Sequence, residues 1–171
     1  QSLSVERQAT HNGYMQSPLD LSQGTQFQTQ KHRISFAMSS FTLPLLRGIY
    51  EAFGGDILLC IVLGEIAARN AQRWLAQEDN DPQVLEDLSR HPEVLRPCNA
   101  LSIAEATGIP RETVRRKVLT LIERGMVYRA ANGHLFVHPS VPQRFEELTQ
   151  TMVPALLEAA RSIQTRLQPE P

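Results

Sequence analysis

The sequence predicts a mostly helical fold carrying one small β-hairpin, on three observations. Two short helical patterns meet in mid-chain around Gly108 and Pro110. Asn132-Gly133 then stands between two short apolar runs. On both sides, over 44–76 and 145–167, apolar residues recur at helical spacing.

Residues 1–40 are polar and glutamine-rich, with scattered Gly13, Pro18 and Gly24 and no sustained period. A flexible arm is expected there, with at most a short helix or strand around Ile34 to Met38. From Pro44 the pattern changes, and Leu45, Leu46, Ile49, Tyr50 and Phe53 share a helical face. Gly54-Gly55 breaks that helix before Asp56 caps another, from Ile57 to about Ala76. Because the second helix is apolar on nearly every side through Leu63, it must be buried on several sides. Residues 41–78 therefore read as a helical pair serving the core, dimerisation or an effector.

After the acidic break from Glu78 to Asp81, Pro82 opens a short helix, Gln83 to Arg90, with Val84, Leu85 and Leu88 inward, which His91-Pro92 stops. Either this helix or the one at 57–76 supplies the first helix of a domain spanning 82–140. Arg96 to Ala100 is expected to add a small strand to the hairpin. Ser102 and Glu105 form a capping box for a helix beginning at Ile103. Gly108 ends it, since leaving a helix at positive φ carries no Cβ penalty for glycine. Ala104 is the small residue that a close helix crossing tolerates. Pro110, with a fixed φ and no N–H, then introduces a helix over 111–124. Its Val114, Val118 and Leu121 make a buried stripe, each contributing about 1.5–3 kcal/mol. Met126 to Ala130 and Leu135 to His138 read as strands joined at Asn132-Gly133 by a type I′ turn. Finally, Ser140 is expected to cap a helix from about Pro142 to Leu167, kinked by Pro154 near Gln150. With little core left to cover, this helix (domain 141–168) is expected to pair with another subunit.

Helix, turn, helix and hairpin together make a winged helix-turn-helix flanked by N- and C-terminal helices. The run Gly-Ile-Pro-Arg-Glu-Thr-Val-Arg-Arg-Lys-Val-Leu-Thr-Leu-Ile-Glu-Arg-Gly-Met-Val, from Gly108 to Val127, resembles the DNA-binding domains of bacterial regulators of the MarR, GntR and IclR families. On this reading helix 111–124 enters the major groove of duplex DNA. Arg111, Glu112, Arg115 and Arg116 face base edges, Thr113 and Lys117 are placed for phosphates, and Arg129 and His134 reach backbone or minor groove from the wing (127–138). A homodimer on a palindromic operator is expected, with a small-molecule effector between the flanking helices.

Charge supports this partner. Residues 96–144 carry eight Arg or Lys against three acids, a balance of +5, whereas the rest holds nine bases and fifteen acids, a balance of −6. The two cysteines show neither metal-ligand spacing nor a disulfide framework, so a reducing cytoplasm is expected. Cys60, inside an apolar run, reads first as a small buried hydrophobe with a raised thiol pKa, the alternative being a redox sensor of the kind some MarR-like regulators carry. His134 and His138 lie roughly 13 Å apart in a strand, too far for one metal ion. No signal peptide is visible, and no apolar run approaches the roughly 20 residues that span a bilayer. No glycine-rich phosphate loop, nucleophile motif or catalytic carboxylate pair occurs, so neither an enzyme nor a cofactor is expected. The rival is a winged-helix module that binds protein, whose association with duplex would be weak and insensitive to salt.

Overall fold

The computed structural model describes residues 25–77 and 81–167. In chain order it has α1 (Thr25–Ala52), α2 (Ile57–Leu75), a 3-10 turn (Pro82–Glu86), α3 (His91–Val94), α4 (Ala100–Thr107), α5 (Arg111–Glu123), β1 (Val127–Arg129), β2 (Leu135–Val137), α6 (Val141–Arg144) and α7 (Glu146–Leu167). The mostly α class with one hairpin and flanking helices is as expected.

The first correction is at the N-terminal end. Residues 25–40 are helical instead of forming an arm, residues 1–24 lie outside the described range, and Pro44 sits inside α1. The polar composition hides the helix because hydroxyls bond back onto it. Ser35, Ser39 and Thr42 donate to the carbonyls of Lys31, Ser35 and Met38, one turn earlier. Within the chain α7 packs on α1. Phe53 stacks on Phe145 with centroids 5.3 Å apart, and a side chain at Gly48 would collide with Leu148 Cδ1. Ser140 makes no side-chain cap; its hydroxyl meets His138 Nδ1 instead, and the chain forms α6 before α7 begins.

Of the two candidates for the first helix, α2 packs against α4, α5 and β2. Asp56 caps it by accepting the Leu59 N–H. Residues 83–90 do not form the alternative helix. Asp87 accepts both the N–H and the hydroxyl of Ser89, turning the chain outward, so Leu88 is 41% exposed while Val84 is buried. Pro92, expected as a stop, instead occupies the first turn of α3.

α4 begins three residues earlier than expected, at Ala100. Its capping box is Asn99 with Ser102, each side chain accepting the other's backbone N–H. Gly108 leaves it at φ 69° as anticipated. The hairpin pairs Val127 with Val137, Tyr128 with Phe136 and Arg129 with Leu135. Its turn is not type I′, since Asn132 does not have positive φ. The loop has three residues: the Gly133 N–H bonds back to the Ala130 carbonyl, and the Ala130 N–H to the His134 carbonyl. Gly133 takes the left-handed position, the geometry of a G1 bulge. The strand expected at 96–100 shrinks to one bridge, between Cys98 and Leu135.

At the centre, Ile103, Val114, Val118, Leu121 and Leu135 pack against Leu59, Val62 and Ile66, all at most 1% exposed. Asn70 is buried at the same junction. Its amide donates to the Arg96 carbonyl (2.9 Å) and the Leu135 carbonyl (3.3 Å) and accepts the Val137 N–H (2.9 Å). One side chain thereby satisfies backbone groups from two segments and fastens α2 to the hairpin.

Candidate nucleic-acid interface

The interface is built on α5, because its two faces differ completely. Val114, Val118 and Leu121 have no exposed surface. On the other face Arg111, Glu112, Arg115, Arg116 and Leu119 stand in solvent. The cationic side of α5 is therefore uncovered by the rest of the described chain.

The charged residues are not equivalent. Arg115 pairs with Glu112 one turn before it, Nε–H to Oε2 at 2.9 Å and Nη2–H to Oε1 at 2.7 Å. The hydrogen bond from Arg115 holds the Glu112 carboxyl below its ordinary pKa. Lys117, expected at a phosphate, is already engaged: its Nζ lies 2.5 Å from Asp56 Oδ2. Partial burial pushes the Asp56 pKa up, but the Lys117 and Leu59 hydrogen bonds outweigh it and leave the carboxyl below its usual value. This pair ties α5 to the start of α2. Thr113 is half-buried, on the flank of the helix. Arg111 and Arg116 make no direct ion pair with a carboxylate among the described residues, though Arg116 lies near enough to help hold the Glu112 carboxyl down.

Two residues on or beside this face escaped the sequence reading. Leu119 is 41% exposed, and its spacing of four from Arg115 and seven from Glu112 was the available signal. Arg144 donates from Nη1 to the Arg124 carbonyl (2.8 Å), placing a cation at the C-terminal end of α5. Nothing local in the sequence announces that contact.

The wing carries Arg129, exposed at the end of β1, and His134, half-buried, whose N–H is held by Asn132 Oδ1 at 3.1 Å. Its base is fixed from below. With the buried His91 donating from Nε2 to the Leu85 carbonyl (2.9 Å), its Nδ1 accepts the Tyr128 hydroxyl (2.8 Å). Burial pushes the Tyr128 phenol up to about 12, so it remains a donor. Tyr128 also stacks on Phe136 at 5.6 Å.

Away from this face, α1, α2 and α7 enclose an apolar groove of about 380 Å³, lined by Phe41, Phe53, Cys60, Leu63, Phe145 and Leu156 among others. Burial raises the Cys60 thiol pKa, as expected. No helix among the described residues is long and apolar enough to cross a membrane.

Residues 83–131 match the family model of the IclR helix-turn-helix domain. No curated protein and no solved structure matches the chain. The matched span takes in α4, α5 and β1 and excludes α2, the helix they pack upon. By its match, its hairpin and its flanking helices, this is a winged helix-turn-helix protein whose segment 83–131 resembles the helix-turn-helix domain of the IclR family of transcription regulators.

Proposed function

We propose that the chain is a sequence-specific reader of duplex DNA that works as a twofold dimer, with α5 in the major groove and the wing on the adjacent backbone or minor groove. The observation carrying this reading is the asymmetry of α5: a wholly buried aliphatic stripe backs an exposed face bearing Arg111, Glu112, Arg115 and Arg116. Arg111, Arg115 and Arg116 supply base and phosphate contacts, Thr113 a flanking phosphate contact, and Arg129 and His134 the wing contacts. Lys117 holds α5 against Asp56 in this scheme instead of touching DNA.

Residues 82–140 act as the reader, on α2 as its first helix. The dimer forms through the flanking helices of 41–78 and 141–168, with α1 extending that surface toward the N-terminus. An exposed apolar row on α1, Phe36, Leu43, Leu46 and Tyr50, supports such a partner. Twofold symmetry then sets the recognition helices about 34 Å apart on a palindromic site. The groove among α1, α2 and α7 is where a small apolar effector would act on that spacing.

The test is selection from random duplexes with the full chain, repeated with Arg115→Glu and Arg116→Glu together. Enrichment of a palindrome by the wild type, lost in the variant with its fold and dimer intact, is the expected result. Failure of the wild type to enrich any duplex would leave the protein-binding module as the correct reading.

A further inference from the structure

Resting on that reading, we infer that Glu112 sets specificity by holding Arg115 so that only the far edge of its guanidinium is offered to DNA, which makes guanine the base it reads.

An arginine has five N–H donors arranged along two usable edges. The inner edge, Nε–H with one Nη2–H, is taken by the Glu112 carboxylate at 2.9 and 2.7 Å. The distal edge, one N–H each from Nη1 and Nη2, remains. Two parallel donors match guanine, whose major-groove edge presents the N7 and O6 acceptors. They fail on adenine, where a donor replaces O6.

The pair also suppresses the commonest competing contact. A free arginine beside DNA settles on any phosphate oxygen, but one whose charge is balanced by a carboxylate has much less to gain there. Arg111 and Arg116, neither hydrogen-bonded to a carboxylate among the described residues although Arg116 feels the Glu112 charge, are left as the electrostatic anchors. Both members of the pair are exposed, Arg115 at 56% and Glu112 at 67%, so the fold does not require it. Glu112 acts through Arg115 and is a positioning residue.

The experiment is duplex selection and competition binding with the full chain as wild type, Glu112→Gln, Arg115→Lys and the double variant. The wild type should prefer guanine over adenine at one position per half-site by about 5- to 150-fold. Glu112→Gln should lower that preference at least fivefold while binding random duplex as tightly or more tightly. Arg115→Lys should lose preference at the same position, and the double variant should lose no more. Such non-additivity distinguishes a positioning role from a purely structural one. An unchanged guanine preference in Glu112→Gln would overturn the inference, as would a loss at a different base pair from Arg115→Lys, which would make Glu112 a reader in its own right. If the wild type selects no duplex, the underlying DNA reading fails and the inference with it.

Discussion

The helix-turn-helix and the α1–α7 pair use apolar side chains in opposite ways. In the first, Ile103, Val114, Val118, Leu121, Leu135 and Phe136 are all at most 1% exposed. In the second, Ile34 and Ala159 are the buried apolar residues among those described, while Phe36 is 76% exposed, Leu43 57%, Tyr50 58% and Leu157 51%. Isolated exposed hydrophobics are ordinary, but a row of them on one helix is not. The helix-turn-helix closes its core within one chain, whereas the flanking pair leaves a face unfinished. Stability therefore belongs to the first region, and assembly, in the proposed function, to the second.

Truncating a side chain in each region tests that division most severely. Leu121→Ala should cost about 2–5 kcal/mol in denaturant unfolding, and Leu157→Ala should stay within about 0.5 kcal/mol. Comparable losses would erase the contrast. Next in size is Asn70→Ala, which strands buried backbone groups of the Arg96 and β2 segments. About 1–3 kcal/mol should be lost, with hydrogen exchange of the Val137 amide accelerated. On the other region, Tyr50→Asp should weaken the proposed dimer at least tenfold, about 1.4 kcal/mol, by sedimentation without lowering monomer stability. A dimer unaffected by that change would move the interface elsewhere.

The smallest effect lies inside the first region, where Lys117 of α5 meets Asp56 at the start of α2. Because the folded-state pKa of Asp56 is lowered, its contribution is complete above the unfolded carboxylate value and fades as pH falls through the folded one. Lys117→Met should therefore be less stable than the wild type by under about 1 kcal/mol at neutral pH. Acid unfolding should show that gap closing below about pH 4.

The helix-turn-helix was legible because its signals are local. Gly108, Pro110 and the Val114, Val118, Leu121 spacing act within a few residues, so element order and the exposed arginine face followed from the sequence. What failed depended on alternatives of similar local quality. Asn99 lay three residues before Ser102 as an equally good cap, and Asn132-Gly133 serves a three-residue bulged loop as readily as a two-residue turn. Tertiary partners lay beyond reach altogether: nothing near Lys117 foretells Asp56, 61 positions away, and nothing near Asn70 foretells Val137. α1 was hidden because hydroxyls bonding back to the helix look polar in sequence but occupy helical positions.

The most direct test of the claim that the exposed face of α5 docks on duplex is the slope of log affinity against log salt, for wild type and for Arg111→Ala with Arg116→Ala. The wild type should fall steeply, by about 0.9 for each phosphate neutralised, and the variant should show a flatter line by about one to two. A wild-type affinity indifferent to salt, or a slope unmoved by removing both arginines, would contradict the account.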